Sequence, residues 1–366
     1  MTDTATTSGP ELPQRTRTVP SQIAASVLRF DPAETVQELL DSEMVLAALT
    51  VFAEFKVADH LAGGPLPLQD LAERCAVDPA RLERILRILI PRGFVRRDPT
   101  DGLYHLELVG QTMRSGVPGS MRPAVLTRAF PLWVDAARML PATVRTGRPA
   151  AVAEHGAPYD YLAERPEKRA LFQEFMTARS TAIGQSLVEQ DLSKVQHIVD
   201  VGGGRGTILA ALLRDNPHCM GTLLERDDVV QAAEEFLGKA GLQDRCAFVA
   251  GDFFTGIPTE GDLYLLASIL HNYDDERAHA ILKQVHVAMA PTPQSVLWCV
   301  DWILPDNGMR HPALAADIKM LSLFPGGKER TRTAYRELLS GAGFTTAKIV
   351  PLTAGPSLII AQPVRQ

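Results

Sequence analysis

The chain contains 366 residues, of which 46% are hydrophobic, and 37 Lys and Arg against 43 Asp and Glu give it a formal net charge of −6. This composition is typical of a globular protein of two or three domains, and it argues against a whole surface that binds nucleic acid or anionic lipid. Four widely spaced cysteines argue against a zinc ribbon or disulfide scaffold, and no apolar run is long enough for a membrane helix, so we expect a cytoplasmic location.

The N-terminal region combines a polar tail with a strongly apolar helix. Residues 1–21 are rich in Thr, Ser and Pro, which predicts a disordered tail. From residue 31 to the glycine pair at residues 63–64, apolar residues follow a helical period but occupy more than one face. One chain can hardly bury all of them, so we expect a homodimer with a largely apolar interface.

The next segment has the pattern of a winged helix. After a first short helix, a second begins with Asp78 as N-cap and Pro79 in its first turn, and residues 94–108 alternate around a turn like a hairpin. Residues 79–97 contain six arginines and one glutamate, a charge that a DNA-binding protein would place on phosphates. The alternative is a solvated helix face, because winged helices also serve as packing modules.

The C-terminal half changes to alternating strands and helices. Residues 116–190 are expected to be helical, and the stripe that Phe172, Phe175, Met176 and Arg179 form at helical spacing is more often core than ligand wall. From residue 196 onward, short apolar strands alternate with helical segments. This order predicts a parallel sheet flanked by helices, and therefore an α/β, Rossmann-like domain.

A glycine-rich loop marks the expected nucleotide site of this domain. The apolar run at residues 197–201 leads directly into Gly202, Gly204 and Gly206 and then into a helix. Glycines at a strand-to-helix turn let a ligand approach the backbone, but the third glycine of a dinucleotide fingerprint would fall at Thr207, so that match fails. Glu225 ends the next strand, where a carboxylate can bind ribose hydroxyls.

The segments VDVGGGRG, GDFF, LHNYDDERAHAIL and FPGGKERTRTAYRELLSGAGF together resemble the S-adenosylmethionine-dependent O-methyltransferases of the plant caffeate and bacterial polyketide-tailoring kind. The resemblance runs from about residue 35 to the end. It implies a winged-helix-like dimerisation domain over residues 22–115, which lowers the expectation of DNA binding. It also implies a helical connector over residues 116–190 that helps to enclose the acceptor, and a Rossmann-like catalytic domain over residues 191–366.

The resemblance also implies roles for particular residues. His271 matches the catalytic base, and Asp301 and Glu329 match the two acids that orient its imidazole. The residues matched to S-adenosylmethionine contacts are Asp200, Gly202, Gly204, Gly206, Glu225, Asp252, Phe253 and Ser268. Two positions depart from the family pattern: Ala267 stands where many plant members have a basic residue, and Asp301 is one methylene shorter than the common Glu.

The acceptor is expected to be an aromatic natural product with a hydroxyl group, and no metal is expected because no residues have metal-ligand spacing. N-methylation, or a hydroxylation or decarboxylation assisted by the same cofactor, is a second possibility on this fold, and a cofactor-sensing winged-helix regulator is a third. Residues that suggest an apolar pocket for a flat molecule are Trp133, His155, Tyr159, Phe172, Phe175, Met176, Asn272, Met320 and Phe324.

Overall fold

The computed structural model describes residues 32–292 and 294–364, so the tail expected over residues 1–21 and the first residues of the domain expected from residue 22 lie outside it. The chain divides into two compact units, one ending at Ala47 and the other beginning at Ala48. None of the helices in the described ranges combines the length and the hydrophobicity needed to cross a membrane.

The described part of the first unit is the N-terminal portion of helix α1, Pro32–Glu54. Its apolar side chains are largely solvent-exposed, with Leu39 at 70% and Leu40 at 63% of their maximal accessibility, and Val36 and Met44 are exposed as well. The sequence pattern that placed apolar residues on more than one face of this helix is therefore present as an apolar surface.

The second unit begins with a small helical domain that carries a hairpin. Asp78 caps the second helix of the expected pair, and its carboxylate accepts a hydrogen bond of 2.8 Å from the Arg81 amide. The hairpin pairs Val95 with Leu106 and is shorter than the alternating run in the sequence. The elements of this domain are α2 (Val57–Leu61), α3 (Leu68–Cys75), α4 (Pro79–Leu89), β1 (Val95–Arg97), β2 (Tyr104–Leu106) and α5 (Leu108–Gln111).

Several arginines of the basic segment have carboxylate partners. Arg87 and Arg97 both form ion pairs with Glu83, at 3.6 and 3.3 Å, and Arg96 contacts Asp98 and Glu107 at 3.1 and 2.9 Å. Arg81, Arg84 and Arg92 have no ion pair among the described residues. The lowered expectation of DNA binding by this segment stays a prediction.

A set of short helices and one long helix follows. The small cluster between them includes Phe130, Leu132 and Tyr161, with Trp133 and Phe172 packed against it. The helices of this region are α6 (Arg122–Arg128), α7 (Pro131–Arg138), α8 (Leu140–Thr146), α9 (Ala150–His155), α10 (Pro158–Ala163) and α11 (Pro166–Leu187).

The C-terminal part contains a seven-stranded sheet in the order β10-β11-β7-β6-β3-β4-β5. Strands β3 to β7 are parallel, whereas β11 is antiparallel to β7 and β10 is antiparallel to β11. The strands are β3 (His197–Val201), β4 (Met220–Glu225), β5 (Cys246–Ala250), β6 (Leu263–Ala267), β7 (Val296–Asp301), β10 (Phe344–Pro351) and β11 (Ser357–Pro363). The accompanying elements are α12 (Thr207–Asp215), α13 (Asp227–Lys239), α14 (Asp275–Met289), β8 (Ile303–Leu304), α15 (Pro312–Leu323), β9 (Arg330–Thr331) and α16 (Arg332–Gly341).

The strand order reverses beside β3. From β3 the chain moves outward to β4 and β5 and then returns to β6, which pairs with the opposite edge of β3. Connections leave β3 and β6 toward opposite sides, and a crevice opens at their carboxyl ends, which is where ligands bind in open α/β sheets. The glycine-rich loop follows β3 and Ser268 follows β6, so the sequence motifs meet at this crevice.

Helix α11 packs closely on α12, the helix that follows the glycine loop. A Cβ atom at Gly184 would lie 2.9 Å from Ala211 Cβ, whereas a Cβ at the helical Gly238 would meet nothing within 4 Å. The absence of a side chain at Gly184 therefore sets the distance between the two helices.

We expect Gly184→Ala to lower stability by roughly 1–3 kcal/mol through overpacking, despite the better helix propensity of alanine. The matched variant Gly238→Ala, in an open helical position, should instead stabilise by about 0.5–1 kcal/mol. Urea denaturation of both variants measures the difference, and equal effects would show that the contact at Gly184 does not limit helix packing.

Candidate active site

A cavity of about 370 Å³ occupies the crevice at the carboxyl ends of β3, β4 and β6. Gly202, Glu225 and Ser268, which follow or end these three strands, all contribute to its lining, and helix α11 supplies the opposite wall. The volume lies in the range of sites that enclose a cofactor-sized molecule. The fold thus brings together residues from four separate segments of the sequence.

The glycine loop has a backbone that only glycine adopts readily. Gly202 and Gly204 line the cavity with φ values of 70° and 57°, and the Gly204 amide donates a 2.9 Å hydrogen bond to Glu225 Oε2. Gly206 does not line the cavity in the described chain. A Cβ at Gly206 would lie 2.7 Å from Leu237 Cδ1, so this glycine permits close packing at the start of α12.

Asp200 is a buried carboxylate on the cavity wall. Its side chain is 1% exposed, and Oδ2 has no hydrogen-bond partner among the described residues. Burial, reinforced by the nearby Glu225, raises the pKa of Asp200 to about 7. A cationic group bound beside this side chain would stabilise its ionised form.

Two neighbouring residues after β5 occupy different positions. The Phe253 ring is half-buried, lines the cavity and packs 5.1 Å from the Phe254 ring. Asp252 is exposed and lies outside the lining described here, and its Oδ1 accepts a 2.9 Å hydrogen bond from the Phe254 amide. Asp252 thus shapes the turn that presents Phe253, and its role in adenine binding stays a prediction.

The turn after β6 places His271. The Ser268 amide donates to the Val300 carbonyl at 2.9 Å, which extends the pairing with β7, but Ser268 itself has a φ of 59°. This left-handed conformation is strained for a serine, and it directs the chain into the 3₁₀ turn Leu270–Asn272. Strain of this kind is stored where the surrounding structure holds a functional side chain in place.

His271 contacts two buried carboxylates, as the resemblance implied. Its Nδ1 lies 3.0 Å from Glu329 Oε1 and 3.3 Å from Asp301 Oδ1, and the imidazole is 5% exposed. Asp301 Oδ2 also accepts a 2.9 Å hydrogen bond from the buried Tyr335 hydroxyl. A carboxylate that accepts the Nδ1 proton leaves the Nε2 lone pair available as a base.

The three groups influence one another's protonation. Burial lowers the pKa of His271, and although Asp301 opposes this effect, Arg179 and Arg330 add to it. Burial raises the pKa of Asp301 to about 6 and that of Glu329 to about 8. Burial therefore favours a neutral imidazole and disfavours two fully ionised carboxylates beside it.

The same three side chains could geometrically hold a metal ion, since one ligand atom of each lies within 4.8 Å of the others. The hydrogen bond between His271 and Glu329, together with the 3.3 Å contact of His271 with Asp301, explains this proximity equally well. The expectation that the site uses no metal stays a prediction.

Arg330 is a buried residue that sequence reasoning missed. Its guanidinium donates to the Leu270 and Tyr273 carbonyls at 3.0 and 2.9 Å, on either side of His271, and to Asp275 Oδ1 at 2.9 Å. It follows Glu329 directly, so two consecutive residues at the start of β9 supply an acid beside the imidazole and the hydrogen bonds that hold its loop. No local pattern distinguishes it from Arg332, because only the folded chain reveals its carbonyl partners.

The expected acceptor residues divide into two groups. Tyr159, Phe172, Met176 and Asn272 line the cavity. The others lie outside that lining in the described chain, and their place in an acceptor pocket stays a prediction. Trp133 and Phe175 pack against Phe172, Phe324 packs against Tyr159, His155 bonds to Asp135 at 2.6 Å, and Met320 is half-buried on α15.

Arg179, on α11, is a further cavity residue that the sequence placed only in an apolar stripe. Its Nη2 donates to Ser268 Oγ at 3.2 Å. A helical period cannot show that the charged member of such a stripe faces a cavity.

The raised pKa of Asp200 makes the stability of the ligand-free protein depend on pH. The folded state keeps its proton up to pH 7, whereas the unfolded chain releases it near the ordinary value of 3.8. The contribution of Asp200 to stability is therefore complete below about pH 4 and is lost as pH rises through 7. We expect Asp200→Asn to raise the thermal midpoint more at pH 8 than at pH 5.

Scanning calorimetry of the ligand-free protein at the two pH values measures this effect. Asp215→Asn, an exposed position at the end of α12, is the control and should shift both midpoints equally. The same shift for Asp200→Asn at both pH values would contradict the raised pKa.

Comparison with known proteins identifies two matching domain families. An O-methyltransferase dimerisation domain matches residues 37–115, and an O-methyltransferase domain matches residues 138–345. A phenazine O-methyltransferase of Lysobacter antibioticus is 32% identical over 333 residues, covering 89% of this chain and 95% of that protein. A mitomycin biosynthesis 6-O-methyltransferase of Streptomyces lavendulae is 34% identical over 334 residues, covering 89% and 93%.

Solved structures share the fold over nearly the whole length. The crystal structure of a methyltransferase in calicheamicin biosynthesis, in its S-adenosylhomocysteine-bound form, has a TM-score of 0.82 at 30% identity and covers 92% of this chain and 99% of that chain. Other relatives include an N,N-dimethyltransferase of 8-amino-8-demethylriboflavin from Streptomyces davaonensis, 34% identical over 84% of this chain and 88% of that protein. An aclacinomycin 10-hydroxylase from Streptomyces purpurascens is 31% identical over 82% and 81%.

The α/β fold, the methyltransferase activity and the S-adenosylmethionine cofactor expected from the sequence are confirmed. The chain belongs to the O-methyltransferase family and is an S-adenosylmethionine-dependent O-methyltransferase with an N-terminal dimerisation domain.

Proposed function

We propose that this enzyme transfers a methyl group to a phenolic hydroxyl of an aromatic natural product, with His271 as the general base. The observation that carries the proposal is the buried imidazole whose Nδ1 faces Asp301 and Glu329, on a turn that borders the cavity. The acceptor class is supported by relatives whose names specify phenazine, mitomycin and 3-amino-4-hydroxybenzoate O-methylation.

The cavity residues fit S-adenosylmethionine. The buried Asp200 Oδ2 lacks a partner among the described residues, and an ammonium group is the partner that such a carboxylate needs. Glu225 is placed to bind ribose hydroxyls, Phe253 offers a ring for stacking on adenine, and the Gly202–Gly204 backbone can approach the ligand closely. When bound, the cofactor supplies an electrophilic methyl group on its sulfonium.

A phenol is a weak nucleophile while it keeps its proton, and His271 is placed to accept that proton. With a pKa of about 10, only about one phenol in a thousand is ionised at pH 7. The lowered pKa of His271 keeps the imidazole neutral, so that Nε2 can accept the hydroxyl proton as the oxygen attacks. Asp301 and Glu329 hold the ring through Nδ1 and stabilise the imidazolium that forms.

We also propose the domain division given by the sequence, with a dimerisation domain over residues 22–115, a connector over residues 116–190 and a catalytic domain over residues 191–366. The four cysteines are buried thiols, which is consistent with a cytoplasmic location.

Methylation of nitrogen, or hydroxylation, is the second candidate, and the dimethyltransferase and hydroxylase among the relatives favour keeping it. The chemical structure of the product distinguishes O-methylation, N-methylation and hydroxylation. Mass spectrometry of the reaction with methyl-deuterated cofactor would show a labelled methyl on oxygen or on nitrogen, or an added oxygen without label.

We expect His271→Ala to lower turnover by about 10² or more at pH 7 and to leave the affinity for S-adenosylhomocysteine nearly unchanged. The loss should shrink at pH 10, because the phenol then ionises without a base. Steady-state kinetics at both pH values, with calorimetric binding, provide the measurement. His279→Ala on α14 is the matched histidine control, and an equal loss for His271→Ala at pH 7 and 10 would exclude base catalysis.

We propose that the enzyme is a homodimer that buries the apolar surface of α1. The dimerisation-domain match begins at residue 37, and Leu39 and Leu40 of this helix are exposed in the single chain. The double substitution Leu39→Glu, Leu40→Glu should convert the dimer to a monomer or an aggregate in sedimentation velocity experiments. Val287→Glu, at an exposed apolar position of α14, should stay dimeric, and a monomeric wild-type protein at micromolar concentration would refute the proposal.

A further inference from the structure

Arg179 is a cation on the cavity wall without a carboxylate partner. It lies on α11, and Ser268 Oγ, at 3.2 Å, accepts a hydrogen bond from its Nη2. Among residues 32–292 and 294–364, no carboxylate oxygen lies within 4 Å of the Arg179 guanidinium, the distance limit for an ion pair. A guanidinium has five donors, so most of its hydrogen-bonding capacity is left for a molecule in the cavity.

Two other arginines of this region form ion pairs. Arg226 forms an ion pair with Asp228 at 2.7 Å, and the buried Arg330 forms one with Asp275 at 2.9 Å. The Arg179 guanidinium stays charged although burial lowers its pKa, because the ordinary value of arginine is very high. Asp301 and Glu329 attract this guanidinium without forming an ion pair with it among the described residues, so its remaining N–H donors can still bind an anionic ligand in the cavity.

The position of Arg179 relative to the base indicates which ligand it serves. Its partner Ser268 precedes His271 by one short turn, and its charge lowers the pKa of His271 and of Glu329. Ser268 and Asn272, on either side of His271 in the sequence, line the cavity together with Arg179, whereas His271 itself is not part of that lining in the described chain. Arg179 therefore lies on the cavity wall beside the loop that carries His271.

Another arginine is available at a different part of the cavity. Arg169 also lines it and precedes Arg179 by ten residues on α11, a separation of about 15 Å along the helix. Arg205 in the glycine loop lines the cavity as well. The cofactor carries one carboxylate, so three cavity arginines without ion pairs among the described residues exceed what it needs and leave a cation for a second anion.

We propose that Arg179 binds an anionic oxygen of the acceptor, so that the preferred acceptors are aromatic hydroxy acids bound with their carboxylate on this guanidinium. The inference rests on the proposed function and deepens it, because it names a charge that the acceptor must carry. The planar guanidinium can hold a carboxylate through two parallel hydrogen bonds and thereby fix the neighbouring hydroxyl relative to His271.

The test compares hydroxy acids with their neutral methyl esters. The probes are 2-hydroxybenzoate and 3-hydroxy-2-naphthoate, each with its methyl ester, and their binding to the S-adenosylhomocysteine-loaded enzyme is measured by calorimetry. The variants are Arg179→Gln and Arg179→Lys, with Arg169→Gln as the matched cavity control. Methyl transfer to the same probes is followed in parallel, so absence of turnover bears on the proposed function while binding still tests Arg179.

At least one acid should bind the wild-type enzyme about tenfold or more tightly than its ester, as expected for a charge-assisted hydrogen bond. Arg179→Gln should abolish this preference, Arg179→Lys should retain part of it, and Arg169→Gln should preserve it. Three results would each overturn the proposal: no acid binds, the acid preference survives in Arg179→Gln, or Arg179→Gln weakens S-adenosylhomocysteine itself about tenfold. The last result would assign Arg179 to the carboxylate of the cofactor.

Discussion

The fold is constrained most by the contact of His271 with two buried carboxylates, because three polar groups must be held together away from water. An imidazole and two acids that are shielded from water cost free energy unless their protons and charges are shared. The structure meets this demand by placing Nδ1 between Asp301 and Glu329 and by giving Asp301 the hydroxyl of Tyr335. Each partner comes from a different segment, so the site exists only when β6, β7, β9 and α16 are assembled.

Backbone interactions hold this assembly together. The Lys328 amide donates to the His271 carbonyl at 2.9 Å, and Arg330 binds the carbonyls on either side of that residue. The short segment around Glu329 therefore supplies an orienting acid and also fixes the loop that carries the base. The strained Ser268 at the start of that loop is tolerated because these contacts determine its position from both ends.

Charge is distributed unequally across the crevice. Asp200 and Glu225 lie near the glycine loop, where Arg205 and Arg226 also line the cavity, whereas Arg179 stands next to the loop of His271. A ligand with a cationic sulfonium and an ammonium group suits the two carboxylates, and an anionic oxygen suits Arg179. In the proposed reaction, this arrangement orients the methyl donor and the acceptor within one cavity.

Local patterns in the sequence were sufficient for several features. Alternating apolar strands and helices indicated the parallel sheet, the cap at Asp78 marked the start of a helix, and the glycine run located a loop that lines the cavity. The motif resemblance implied that Asp301 and Glu329 orient the imidazole of His271, and the structure places one oxygen of each acid within 3.3 Å of His271 Nδ1. The assignment of roles to individual site residues still rests on that resemblance.

Other features depended on contacts between segments that are distant in the chain. The sequence by itself determined the periodicity, the caps and the motifs, because each of these depends on neighbours within a few residues. Only the tertiary structure decided that Gly206 serves packing, that Asp252 lies outside the cavity lining, and that Arg179 and Arg330 turn inward. The physical reason is that the burial, charge and hydrogen bonding of these side chains are set by partners tens of residues away, which no local pattern records.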